Sequence, residues 1–284
     1  MISDKTMSIT LGYRCTMSCN HCLNHSGPSR QECLDETEIL KLRADIIQNR
    51  PGEIILIGGE PTLYIKIIIR ILKNLPYNPF VTVTTNGYFA TKRLNTEKIL
   101  NQIPYLRKIQ LSFDRFHSSD IGGKIPFHLN EYSKEKRIDF TIIVCTNDFK
   151  KDLLFFKKIS LLFPGKVIYQ EVDGSGRAKE TDSEYQYPEF EPTVLEKKCP
   201  NNKTINYFPG KGYSVCCANV VFNLDSPNIF EQNIKDLKTN AFRENVTKYS
   251  IKQRLDRLGC SIPKIPRLSS VCNFCELLAE KENF

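Results

Sequence analysis

Residues 7–22 read Met7-Ser8-Ile9-Thr10-Leu11-Gly12-Tyr13-Arg14-Cys15-Thr16-Met17-Ser18-Cys19-Asn20-His21-Cys22. The first five have the composition of a short strand. Three cysteines follow at once, spaced Cys-x3-Cys-x2-Cys. Thiols at this spacing can wrap a small metal centre, and thiolates are the usual ligands of iron–sulfur clusters. A cubane takes four ligands and this loop supplies three, so one iron stays open, as in catalytic metal sites. Cys33 is a candidate fourth ligand, although it lies beyond Gly27-Pro28. Structural zinc, completed by His21 or His25, is the alternative.

Outward from this loop, strands are expected at Glu53–Ile57, Phe80–Thr85, Lys108–Phe113, Phe140–Thr146 and Lys166–Val172, each rich in Val, Ile, Thr or Phe. Helices are expected at Glu36–Gln48, Ile65–Asn74, Thr96–Gln102 and Leu153–Leu162. Ile39, Leu42, Ile46 and Ile47 share one face of the first. Strands alternating with helices imply parallel neighbours joined by crossovers. Six such units are too few for a closed eight-stranded barrel. The fold class is therefore α/β, a partial (β/α)6 TIM-like barrel over residues 1–178. The pattern breaks after Val172: Asp173–Pro192 is polar, with Gly174, Gly176, Pro188 and Pro192. Residues 179–198 are assigned as linker and 199–284 as a small cysteine-rich domain holding six of the 11 cysteines. Within that domain, Ile205–Phe208 and Tyr213–Cys216 flank Pro209-Gly210-Lys211-Gly212 as a β-hairpin. Asn233–Tyr249 reads as an exposed helix.

With 40% hydrophobic and 25% charged residues, the composition argues against disorder. No apolar run approaches the ~20 residues of a membrane span. Met1–Thr6 lacks a signal-sequence pattern, so a cytoplasmic location is expected. Thiols stay reduced there, and the 11 cysteines need a use other than disulfides. The net charge is +8, but the basic residues are scattered, so charge does not argue for a nucleic-acid partner.

The second strand ends in Gly58-Gly59-Glu60-Pro61. Glycines let a backbone approach a ligand closely, and Glu60 can pair with a cation. With the cysteine loop one β/α unit earlier, the chain resembles the radical SAM superfamily. In that superfamily a Gly-Gly-Glu motif holds the methionyl amino group of S-adenosylmethionine. The resemblance implies a [4Fe–4S] cluster on Cys15, Cys19 and Cys22, and S-adenosylmethionine held by Gly58, Gly59, Glu60 and Pro61.

Other strand ends fit the same plan. Thr84-Thr85-Asn86-Gly87 closes the third strand where the superfamily often has Thr-Asn-Gly; a plain turn is the other reading. Ser112 and Asp114 share one face at the end of the fourth strand, with His117 after them. Cofactor or substrate would partner them, or they bond internally. Gly174-Ser175-Gly176-Arg177 follows the sixth strand, where many relatives carry Gly-Arg-Ala. Arg177 can clamp a carboxylate or sit solvated in the linker. His21, Asn86, Ser112, Asp114 and Arg177 complete the expected cofactor-binding set.

Cys272-Asn273-Phe274-Cys275 is a Cys-x2-Cys knuckle; Cys199 precedes the hairpin and Cys216 ends it. Four thiols brought together make a closed site for a second iron–sulfur cluster or for zinc. The resemblance implies the former, an auxiliary [4Fe–4S] cluster in a domain of SPASM or Twitch type. Cys145 lies in an apolar strand and reads as a buried thiol. Cys260 is unassigned and can replace one of the four. If Cys216 faces the cluster, its strand neighbour Cys217 faces the other way, toward the barrel mouth.

A closer resemblance, spanning the first strand to the last Cys-x2-Cys, is to radical SAM peptide epimerases. It rests on His21, Ser112-x-Asp114-x-x-His117, Cys199-Pro200, Cys216-Cys217 and Ser269–Cys275. It implies a ribosomally synthesised precursor peptide as substrate and an electron donor of flavodoxin or ferredoxin type as partner. A 5′-deoxyadenosyl radical would remove a Cα hydrogen from an L-residue, and Cys217 would return a hydrogen atom from the opposite face. Lys203 departs from the pattern, since the epimerases have an aspartate there. Thioether or carbon–carbon crosslinking of a precursor peptide is the rival chemistry. A non-catalytic iron–sulfur or zinc electron carrier or scaffold is the rival class. With the barrel starting a few residues after Met1, no separate N-terminal leader-binding domain is expected.

Overall fold

The computed structural model describes residues 6–118, 123–224 and 226–284. The absence of a signal pattern rests on Met1–Thr6, of which residues 1–5 lie outside the described residues. The chain runs β1 (Thr6–Thr10), α1 (Glu36–Asn49), β2 (Glu53–Ile57), α2 (Ile65–Leu72), β3 (Phe80–Thr85), α3 (Arg93–Leu100), β4 (Leu106–Ser112), α4 (Arg115–Ser118), α5 (Ile125–Lys136), β5 (Asp139–Thr146), α6 (Phe149–Leu162) and β6 (Val167–Glu171). It continues with α7 (Arg177–Glu180), β7 (Thr204–Phe208), β8 (Gly212–Ser214), α8 (Asn219–Asn223), α9 (Ala241–Lys248), α10 (Ile251–Leu258) and α11 (Val271–Lys281). The sheet order is β6-β5-β4-β3-β2-β1-β7-β8. The six β/α units thus form the expected α/β partial barrel, with β1 to β6 in parallel register.

The two faces of the strands differ. Ile54, Leu56, Ile109, Leu111, Ile142 and Val144 are fully buried under the helices. Their alternates Ile55, Ile57, Gln110, Ser112, Ile143 and Cys145 are only half-buried. Side chains alternate across a strand, so the second set lines the barrel interior. A closed barrel fills its interior with packed side chains; here the inner-face side chains are only half-buried.

The hairpin is not a separate body. β7 pairs parallel with β1, Ile9 opposite Tyr207, and β8 pairs antiparallel with β7. Helix α1 holds it in place. Glu38, which completes the capping box at Asp35, accepts hydrogen bonds from Tyr207 Oη (2.9 Å) and Gly210 N (2.8 Å). Tyr213 Oη donates to Asp45 at 2.5 Å.

Three further expectations change. Helix α5 is additional to the expected helices, and Ile125, Leu129 and Tyr132 at i, i+4 and i+7 form its buried face. Asp173–Pro192 is a packed connector: Gly174, Ser175, Gly176, Ala178, Ser183 and Glu184 are buried. Asn233–Tyr249 contains a short turn and α9, with Phe242 and Val246 buried in a small core shared with Phe208 and Val220. A second small core joins Val194, Ile251, Leu255, Phe274 and Leu278. No helix among the described residues is long and apolar enough to cross a membrane.

Candidate functional site

The loop after β1 carries Cys15, Cys19 and Cys22, all free and half-buried. Its backbone closes on itself: Cys15 N donates to Gly27 O at 3.0 Å, and Cys22 N to Cys19 O at 3.1 Å. The exit of β2 packs directly on it, with Gly59 N on Gly12 O (2.8 Å) and Glu60 N on Arg14 O (2.9 Å). A Cβ on Gly59 would stand 2.1 Å from Arg14 O, and one on Gly58 2.5 Å from Gly12 O. Contact between two backbones therefore leaves no room for a side chain at either glycine.

Glu60 caps the 3-10 turn Pro61–Tyr64 and is wholly buried. Its carboxylate accepts from Thr62 N (3.1 Å), Thr62 Oγ1 (2.6 Å), Thr85 Oγ1 (2.8 Å) and Asn86 N (2.9 Å). Burial pushes its pKa up, against those hydrogen bonds. Among the described residues its hydrogen-bond partners are all neutral. A buried carboxylate without a countercharge is costly, so the pocket suits a cationic ligand group. Asn86 joins this carboxylate to the loop: its side-chain amide donates to Thr16 Oγ1 (3.1 Å) and stands 3.5 Å from the Cys15 sulfur.

Across the mouth, Asp114 is fully buried and accepts from Phe116 N (2.9 Å), Cys145 N (3.3 Å) and the His117 ring at 2.8 Å. Burial would raise the Asp114 pKa, but His117 outweighs it and holds the carboxyl low. Burial lowers His117, yet Asp114 and then the Cys19 thiol lift it to about 10. His21 stacks on Phe116 with centroids 4.3 Å apart and is held near a pKa of about 4 by burial. Its Nδ1 is buried and has no hydrogen-bond partner among the described residues. Ser112 is half-buried on the inner face.

Arg177 is placed differently from the expectation of a carboxylate clamp. Its guanidinium donates to Cys19 O (2.8 Å) and Ser26 O (2.9 Å), and its N–H to Cys22 O (2.9 Å). It therefore holds the cysteine loop. The N–H of Ser26 donates to the Cys22 sulfur at 3.3 Å. Burial pushes the Cys15 thiol up to about 12, so a thiolate here requires the positive charge that metal ions supply. The donor set and the N–H···S bonds fit an iron–sulfur cluster. Cys33 is exposed and bridges to Gly12.

A second constellation lies beyond β8. One cavity is lined by Cys199, Cys216, Cys217, Cys272 and Cys275, together with Arg254 and Asn201. Cys216 and Cys217 both line this cavity. The strand ends at Ser214, so the pair lies in a loop where the alternation of a strand does not apply. Burial pushes Cys217 up to about 12 and Cys199 to about 11. Lys203 is exposed. Cys260 packs against the Val194–Leu278 core and does not line the cavity.

Sequence reasoning missed Thr62 and Thr85 as partners of Glu60, Cys145 beside Asp114, and Arg254, whose Nη1 is 3.2 Å from the Cys275 sulfur. Only tertiary contact distinguishes these residues from ordinary strand and helix positions.

Residues 9–165 match the Radical SAM superfamily. YydG of Bacillus subtilis (strain 168), assigned by name to peptide biosynthesis, is 24% identical over 307 residues, covering 99% of this chain and 95% of its own. Molybdenum cofactor biosynthesis protein 1 of Drosophila melanogaster is 33% identical over 93 residues, 31% of this chain and 16% of its own. Among solved structures, BtrN in complex with AdoMet and 2-DOIA superposes with a TM-score of 0.52 at 13% identity, over 96% of this chain and 91% of its own. That is a likeness of fold. The family match spans more than half of the 284 residues and contains both the cysteine loop and Glu60; the chain belongs to the radical SAM superfamily.

Proposed function

We propose that this chain modifies a ribosomally synthesised precursor peptide, converting L-residues to D-residues. Membership of the superfamily implies a [4Fe–4S] cluster and S-adenosylmethionine, which when bound supply a 5′-deoxyadenosyl radical. Cys15, Cys19 and Cys22 would hold the cluster and Glu60 the cationic end of S-adenosylmethionine, with Gly58, Gly59 and Pro61 shaping its pocket. Asn86 would steady the loop against that pocket. Ser112, Asp114 and His21 would lie near the place where cofactor and substrate meet.

The observation that carries the epimerase reading is the count of thiols around the second cavity. Five line it, and a cubane takes four. Cys199, Cys216, Cys272 and Cys275 would hold an auxiliary [4Fe–4S] cluster, which leaves Cys217 free to return a hydrogen atom. The alignment with YydG along 99% of the chain supports a peptide substrate. An electron donor of flavodoxin or ferredoxin type and a cytoplasmic setting complete the proposal. Lys203 departs from the aspartate that epimerases carry at this position, and thioether or carbon–carbon crosslinking is the second reading.

The test is co-production with a short peptide encoded beside the gene, followed by reaction in deuterium oxide. Epimerisation returns solvent deuterium at each modified residue and leaves D-residues on hydrolysis. A product lighter by the hydrogens it has lost, with every residue still L, identifies crosslinking instead.

A further inference from the structure

Arg254 is the largest fully buried side chain among the described residues, 2% exposed. It projects from α10, beyond the Ser250 capping box, toward α11. Nε and Nη2 engage the Glu282 carboxylate at 3.1 and 2.6 Å, and Nη1 points to the Cys275 sulfur at 3.2 Å. Arginine keeps its charge in any protein interior. Glu282, 9% exposed, balances that charge from one side only. A helix staple needs only the arginine–carboxylate fork, and a buried ion pair is weak support for stability beside an apolar pair of the same volume. The third donor, aimed at a thiol that lines the five-cysteine cavity, is what a staple leaves unexplained.

Reduction adds negative charge to an iron–sulfur cluster. A cation and an N–H···S bond at a ligating sulfur favour the reduced state and raise the potential. We propose that Arg254 sets the reduction potential of the auxiliary cluster, holding it above the value the cysteines alone would give. This rests on the auxiliary-cluster reading above. Arg254 acts through Cys275 and is a positioning residue, with Glu282 as its counterweight.

The experiment is an anaerobic redox titration of the reconstituted full-length chain, followed by electron paramagnetic resonance. A Cys15/Cys19/Cys22 triple-alanine chain assigns the auxiliary signal. Arg254→Met combined with Glu282→Gln removes the pair without stranding a buried charge. It should keep the iron and shift the reduction equilibrium at least tenfold toward the oxidised form, about 59 mV for one electron. Arg254→Lys keeps the charge and should fall less. Glu282→Gln alone leaves the cation unbalanced and should raise the potential. If the double variant loses its cluster, Glu282→Gln decides: an upward shift supports the inference and an unmoved potential overturns it. Full iron with a native potential in the double variant overturns it as well. Iron for one cluster only in the native chain, with zinc in the second cavity, overturns the auxiliary-cluster reading and this inference together.

Discussion

Arg177 Nη1 donates to the Cys19 carbonyl at 2.8 Å, which fastens the exit of the sixth strand to the loop after the first. The same guanidinium reaches Ser26 O at 2.9 Å. The open side of the partial barrel is thereby clasped next to its cysteines. Hydrogen bonds from a charged donor contribute about 1.5–3 kcal/mol each. Arg177→Met should lower the denaturation midpoint and reduce iron at the first site while the auxiliary signal persists. Equal iron and an equal midpoint would show that the clasp is dispensable.

Gly59 is expected to tolerate no side chain. Its Cβ would meet Arg14 O at 2.1 Å, and both partners are backbone, which cannot give way locally. Forced overpacking costs about 1–3 kcal/mol and more where nothing yields. Gly123, whose Cβ would meet nothing within 4 Å among the described residues, is the control. Gly59→Ala should lose folded yield and first-site iron; Gly123→Ala should match the native chain in thermal melting. Equal melting of the two variants would refute the backbone-contact argument.

Glu60→Gln is the cleaner probe of ligand charge. Alanine would strand the donors of Thr62, Thr85 and Asn86 in the interior, at about 1–3 kcal/mol each. Glutamine keeps the shape and removes the charge, and its amide nitrogen leaves unsatisfied only the backbone N–H it faces, Thr62 N or Asn86 N. Its affinity for S-adenosylmethionine should fall on the order of tenfold to a hundredfold, the worth of about 1.5–3 kcal/mol, with both irons sites filled. Calorimetric titration of reconstituted protein measures it. Unchanged affinity would mean that Glu60 serves only its turn.

Cys217 and Cys216 line one cavity, so their roles are separable only by variants. Cys217→Ala should keep iron for two clusters, about eight per chain at four per cubane. It should still form 5′-deoxyadenosine and yield no D-residue. Cys216→Ala should lose the auxiliary cluster. The reverse pattern would assign the hydrogen donor to Cys216. D-residues from both variants would end the epimerase reading.

The β/α alternation and the cysteine loop were legible because they are local. Strand composition, helix periodicity and Cys-x3-Cys-x2-Cys each occupy one short stretch, and six parallel units follow from their order. The Gly58-Gly59 pair was visible too, but its contact with the backbone of Gly12 and Arg14 was not, because those residues belong to the loop after another strand. What tertiary structure alone decided depends on residues far apart in the chain. Tyr207 and Gly210 find Glu38 on α1, and so the hairpin joins the sheet beside β1. Cys217 turns into the same cavity as Cys216 because the strand stops at Ser214. Arg177 leaves solvent for loop carbonyls, and Arg254 meets Cys275 across two helices. A sequence specifies which groups must be satisfied; which distant partner satisfies a buried arginine or a buried carboxylate is settled only when packing removes water from both.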